Sequence, residues 1–183
     1  MKLFAGVFLF AFTGICLSQI DILGVFGASP DRQLQKLKSS VDSIDKGLDR
    51  WTGSPLYLPV LALQAAKLQK DITDTGASFK RAGPRTADAD QALLVDAQSA
   101  LDSLGHAMAT VGGAATKFDK IPMGVPVIFG VLKAFEISTN RAIKLGVDGA
   151  SPDAKPRFEA MQQTAKAYFK NAIDLFEQQL DTE

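Results

Sequence analysis

Apolar side chains recur at alternating steps of three and four along most of this chain, and that spacing commits it to amphipathic α-helices. The stripe Leu94, Ala97, Leu101, Leu104, Met108, Val111, Ala115, Phe118 stays on one helix face for about seven turns, because a turn takes 3.6 residues. Leu34, Leu37, Val41, Ile44, Leu48 and Trp51 form another stripe, with Lys36, Asp42, Asp45, Lys46 and Asp49 on the opposite side. No segment shows the clean period of two that a half-buried strand requires. The expected fold is all-α.

Proline and glycine punctuate the pattern. Ser29-Pro30-Asp31 opens the first helix, since serine caps well and a first-turn proline forfeits no hydrogen bond; Gly53-Ser54-Pro55 ends it. A second helix starts within Pro55 to Val60, with Pro59 in its first turn, and runs through Leu61, Ala65, Leu68 and Ile72 to about Phe79. Ala82-Gly83-Pro84 breaks the chain. The third helix opens at Thr86 or Asp88 and runs to Phe118, weakened near its end by Gly112-Gly113. Strand and helix readings compete over Ile121 to Leu132. Helix is preferred from about Val125, through Phe135, Ala142 and Leu145 to a stop at Gly146 to Gly149. Ser151-Pro152-Asp153 repeats the opening cap, and a last helix carries Phe158, Met161, Ala165, Tyr168, Ala172, Leu175 and Phe176. Five such segments with short connections pack most simply as an antiparallel bundle.

The first residues pair one charge, Lys2, with an uncharged run from Leu3 to Leu17. That run is shorter than the ~20 residues of a membrane-spanning helix and matches a secretory signal, with cleavage expected after Ser18. The rival reading, a retained signal anchor, draws on Ile20, Ile22, Leu23, Val25 and Phe26; Asp21, Gly24 and Gly27 oppose it. Residues 19–28 are then a short leader and 29–183 the helical domain. The single cysteine, Cys16, leaves with the signal. The exported chain cannot form a disulfide, so a hydrophobic core must stabilise it. With 20 basic and 20 acidic residues in the full chain, no charge excess points to nucleic acid or an anionic membrane.

The inventory for catalysis is thin. His106 is the only histidine, no nucleophile-elbow motif accompanies it, and it lies off its helix's apolar stripe, as a surface residue would. Asp88 and Asp90 lack the ligand series and closing Glu of a calcium loop and read as carboxylates favoured at a helix start. Gly112-Gly113 lacks the Lys-Ser/Thr of a phosphate loop. No metal site or cofactor is expected, and the chain reads as non-enzymatic.

What remains is a surplus of apolar residues. Ile121, Met123, Val125, Val127, Ile128, Phe129, Val131 and Leu132 surround their helix more completely than one buried face needs. Two readings follow. Either this helix is central, enclosed by the other four, or the segment lines an apolar cavity or an adsorbing face. An empty void of a few hundred Å³ would cost several kcal/mol at about 24 cal/mol per Å³, whereas an acyl chain filling it gains about 0.8 kcal/mol per methylene. Leu61, Leu68, Leu104, Met108, Ile128, Leu132, Phe135 and Phe158 are the candidate lining, chosen by apolar placement alone.

Several segments carry a family resemblance: Leu37 to Leu48 (LKSSVDSIDKGL), Leu61 to Ile72 (LALQAAKLQKDI), Asp88 to Gln91, Lys117 to Ile121, and the pairing of Phe158 with Tyr168 and Phe169. From about residue 34 onward the chain resembles the hydrophobic surface-binding protein A family, the fungal cell wall galactomannoproteins. The resemblance implies a secreted or wall-associated helical bundle that binds hydrophobic surfaces or lipids. Some members assist a secreted polyester hydrolase, and others hold fatty acids in an interior cavity. Wall-retained members end in anchored Ser/Thr-rich tails, so release is expected for a chain ending Glu177 to Glu183 (EQQLDTE). The competing expectation is a structural wall or host-interaction protein with no small-molecule ligand.

Overall fold

A computed structural model describes residues 27–181. The expected signal, its cleavage site and Cys16 lie outside them, as does most of the leader. The elements are α1 (Pro30–Arg50), a single 3₁₀ turn (Pro55–Tyr57), α2 (Leu58–Ala82), α3 (Ala87–Gly113), α4 (Ala115–Asp119), α5 (Gly124–Asp148) and α6 (Lys155–Leu180). No strand occurs among the described residues, so Ile121 to Leu132 resolves toward helix.

The local chemistry explains most boundaries. Pro30, Pro59 and Pro156 sit in first turns, where a missing N–H costs nothing. The Thr86 hydroxyl accepts from the Ala89 N–H at the start of α3. Gly83, at φ +62°, ends α2 by giving its N–H to Phe79 O.

Two boundaries differ from the sequence reading. The third helix does not run unbroken to Phe118: Ala114 gives its N–H to both Thr110 O and Val111 O, and α4 begins afresh. Gly112 and Gly113 supply too little helix propensity to hold the ladder straight. Ser151 is not a helix cap either. Its N–H goes to Asp90 and its carbonyl accepts from Ala154 and Lys155, so a turn intervenes before α6.

The long helices form a closed ring. α1 packs on α2 and α3, α2 on α5, α5 on α6, and α6 on α3. Successive long helices reverse direction, as the short connections require. Ring neighbours need not: Gln69 bonds Ser138 at 2.8 Å while Gly76 lies against Ala142 and Phe79 against Gly146, so α2 and α5 run side by side in the same direction. No helix fills the centre. The reading of residues 121–132 as a central, enclosed helix is therefore overturned, and Met123 is 59% exposed.

A five-membered ring has a geometric consequence. With neighbouring axes about 9 Å apart, the middle of the pentagon lies about 8 Å from each axis, whereas a helix with its side chains has a radius of about 5–6 Å. Long side chains must reach inward, or space is left.

Both ends of the axis are closed. At one end the α2–α3 connection crosses the ring: the Arg85 N–H bonds Gly149 O at 2.9 Å and its Nη2 bonds Gly146 O at 2.6 Å. At the other end α4 drives Phe118 between Trp51 and Phe176, with ring centroids 4.4 and 6.0 Å apart. Trp51 Nε1 donates to Ser54 O, and Lys117 Nζ to Trp51 O, both at 2.9 Å.

The turn into α5 places Met123 at φ +62°, a left-handed conformation that costs an L-residue about 1–2 kcal/mol. Because this side chain is exposed, Met123→Gly is expected to raise unfolding free energy by about 0.5–1 kcal/mol after glycine's greater chain entropy is deducted. Urea titration checks it; an unchanged or lower midpoint contradicts the strain.

Candidate functional site

The ring centre holds two cavities stacked along the axis. The upper, about 80 Å³, lies toward the Arg85 end and is walled by residues of all five long helices, among them Leu34, Ile72, Phe79, Ala100, Ala142 and Phe169. The lower, about 60 Å³, lies toward α4 and includes Ile44, Leu58, Ala65, Val111 and Phe118. Val41, Leu68, Leu104 and Phe135 face both and form the collar between them. No charged side chain lines either cavity, and nearly all of the facing surface is carbon. Such walls keep an empty cavity dry. Together the two volumes cost about 3 kcal/mol if empty, a substantial share of a typical 5–15 kcal/mol stability.

The eight residues selected from sequence all reach these cavities. Leu61, Met108, Ile128 and Leu132 line the lower one, Phe158 the upper, and Leu68, Leu104 and Phe135 both. The sequence reading took no candidate from α1 and missed Phe79 and Phe169. The α1 stripe was legible; that it meets the carbon-lined space rather than only packing on neighbours follows from ring closure.

Polar groups gather outside the carbon-lined space. Asp90, read from sequence as a helix-start carboxylate, is fully buried and does more. It accepts from Arg85 Nε at 2.5 Å and from the Ser151 N–H at 2.6 Å. Burial pushes its carboxyl up, but the Ser151 N–H and the Arg85 guanidinium outweigh that and hold its pKa below the usual value. The Arg85 side chain is 4% exposed and stacks on Phe79 and Phe158, 5.2 and 5.5 Å from their ring centroids. Those two rings meet edge to face at 6.3 Å and line the upper cavity. The clasp thus caps the apolar space without presenting a charge to it. A second buried polar contact, Ser40 Oγ donating to Asp71 at 2.5 Å, ties α1 to α2 and receives Lys67 Nζ.

His106 is exposed. Among the described residues no group of three His, Cys, Asp or Glu side chains is placed to hold a metal ion. No helix among them is long and apolar enough to cross a membrane.

No protein-family model and no curated protein sequence matches this chain. Solved structures do. The structure of AfMP4p in complex with palmitic acid superposes with a TM-score of 0.77 at 16% identity, covering 80% of this chain and 97% of that one. Ligand binding domain 2 of the Penicillium marneffei MP1 protein, complexed with multiple arachidonic acids, gives 0.73 at 15% identity, covering 79% and 92%. Domain 1 of the same protein, complexed with arachidonic acids, gives 0.74 at 11%, covering 79% and 94%. The chain therefore has the all-helical fold of these fungal proteins.

Proposed function

We propose that this protein is a secreted, non-catalytic carrier that holds the hydrocarbon chain of a fatty-acid-like lipid in the centre of its helical ring. The observation that carries the reading is the ring itself: five helices around a space with carbon walls and no charge. Each methylene moved from water into such a space gains about 0.8 kcal/mol, less the ordering of ligand and side chains. The ligand-free volumes fit chain segments, so a long acyl chain requires the collar side chains to turn and the helices to spread. Leu61, Leu68, Leu104, Met108, Ile128, Leu132, Phe135 and Phe158 would contact it. The shared fold of AfMP4p and the MP1 domains, whose structures hold palmitic and arachidonic acid, supports the same ligand class. The Leu3 to Leu17 run supports export, and the family resemblance adds the cell wall as a place of association.

Native mass spectrometry of protein secreted by its own host, followed by thermal melts with added palmitic acid, tests this. The expected result is a co-purified lipid and a saturable rise in melting temperature. Protein that carries no lipid and ignores the acid would overturn the proposal in favour of a structural or host-interaction role.

A substitution sharpens the test. Ala100 is buried and lines the upper cavity, so Ala100→Phe places a ring in that space. Overpacking costs about 1–3 kcal/mol in a filled core, and a pre-existing cavity reduces that. Expected is a folded variant whose affinity for palmitic acid, measured by displacement of a fluorescent fatty acid, falls at least tenfold. Unchanged affinity would place the ligand elsewhere.

A further inference from the structure

Two uncharged stretches meet at one end of the bundle. Residues 55–66 (PLYLPVLALQAA) open α2, and residues 121–132 (IPMGVPVIFGVL) open α5. Because α2 and α5 run in the same direction, both stretches lie beside the lower cavity, where Leu58, Leu61 and Ala65 face Ile128 and Leu132 across it. Apart from Gln64, which donates to Ser43 Oγ, each helix is apolar all round here and amphipathic beyond. The outer face of α2 continues with Lys67, Lys70, Asp74 and Lys80, and that of α5 with Lys133, Glu136, Arg141 and Lys144.

A helix apolar on every side belongs inside a protein or in lipid. The α2 stretch is not inside: no residue from Pro55 to Lys67 is buried, and Leu56 and Leu63 are 84% and 73% exposed, while the α5 stretch turns Val125, Val131 and Leu132 inward and leaves Pro122, Met123 and Gly130 exposed, Met123 at 59%. Nor can they cross a bilayer, since twelve residues of helix extend about 18 Å against a hydrocarbon core of about 30 Å. Shallow insertion at a lipid–water interface, about 5–10 Å deep, suits them. Both stretches end at a lysine, Lys67 and Lys133, whose long stems can lie along apolar surface while the ammonium stays in water.

We infer that this end of the bundle docks on a lipid surface and that the seam between the opening turns of α2 and α5 is where the ligand passes in. The inference rests on the proposed carrier function. The axial routes are shut, by the Arg85 clasp at one end and by Phe118 at the other. Along the seam, half-buried Leu58, Leu61 and Ala65 form the lower cavity's wall on the α2 side. A lipid surface is the occupant because the face is continuous with a carbon-lined space, its two stretches carry no charge and leave Asp119, Lys120, Lys67 and Lys133 at their ends, and a long-chain lipid resides in membranes or aggregates rather than in water. The ligand's chain slides from one apolar medium to another without crossing water, and its polar head stays near the lysines. The seam is thus a portal as well as a docking face.

The test uses vesicles of zwitterionic phosphatidylcholine containing a fluorescent long-chain fatty acid. The double variant Leu56→Gln with Leu63→Gln changes two exposed side chains of this face. Val95→Gln with Ile137→Gln, 69% and 68% exposed elsewhere, is the matched control. Expected are co-sedimentation of the ligand-free protein with vesicles and uptake of the fluorescent acid from them. Both should fall at least tenfold in the first variant and less than twofold in the control, while affinity for monomeric fatty acid in buffer stays within twofold of the parent. Equal uptake by both variants, or no sedimentation of the parent, overturns the docking face. Self-association of the parent that Leu56→Gln removes, without vesicle binding, would overturn it in favour of a second copy as occupant. Failure of the parent to bind monomeric acid instead removes the carrier function, and the sedimentation arm then reads docking by itself.

Discussion

Asp90→Ala is expected to remove about 3–5 kcal/mol of unfolding free energy, the usual cost of deleting one partner of a buried ion pair. The loss exceeds that of a single hydrogen bond because two groups lose a partner: the Arg85 guanidinium, 4% exposed, which loses its counter-charge and keeps only Gly146 O, and the Ser151 N–H. Two connections at this end, α2–α3, which crosses the ring, and α5–α6, which joins ring neighbours, are fastened to that carboxylate. Urea unfolding measures the effect, with Asp88→Ala, exposed two residues away, expected within about 0.5 kcal/mol of the parent. A loss below about 1 kcal/mol at Asp90 would mean that the clasp is not a structural fastening.

The same carboxylate predicts an acid dependence with a definite sign. Its pKa in the folded protein is lowered, so its contribution is fully present above the unfolded aspartate value of about 3.9 and disappears as pH falls through the folded value. Stability owed to Asp90 is therefore flat from neutral pH to about 5 and declines below about 4. In Asp90→Asn that part of the decline should be absent, although the variant starts from a lower plateau. Parallel acid titrations of parent and variant, followed by circular dichroism, decide it; coincident midpoints would contradict the assignment.

The second large effect is expected at the collar. Phe135→Ala should cost the ligand-free protein about 3–5 kcal/mol, since the ring is buried and faces both cavities. Its removal joins the two spaces into one. A long acyl chain then threads the bundle without first turning a phenyl ring aside, and more of the lost stability is recovered on binding. At a free ligand concentration 100 times Kd the recovery is about 2.7 kcal/mol. The measurable outcome is a larger rise in melting temperature on adding palmitic acid to the variant than to the parent. An equal or smaller rise would show that the chain occupies one compartment, or that Phe135 is a contact rather than a barrier.

How much of this was legible beforehand differs by feature. The stripes on α1 and α3, and the proline-marked starts of α1 and α2, were readable because helix periodicity and capping are local properties. The break before α4 was half-readable: the glycines signalled weakness, but whether a weak point bends depends on what pulls on it, and Phe118 is drawn between Trp51 and Phe176. Asp90 could not be assigned from its neighbours in sequence, because its partners Arg85 and Ser151 share no motif and sit on two different connections that only the fold brings together.

The apolar surplus at residues 121–132 shows the division most clearly. Composition determined that these residues exceed what one buried face can use, since that property belongs to the segment itself, but strand and helix readings competed there and the helix from Gly124 was set by the fold. Whether that helix would be a central post or one stave of a hollow ring depended on which helices become neighbours, and that is decided by long-range packing. Ring closure left the axis open to side chains alone, because five helices at contact distance stand too far from their common centre to fill it.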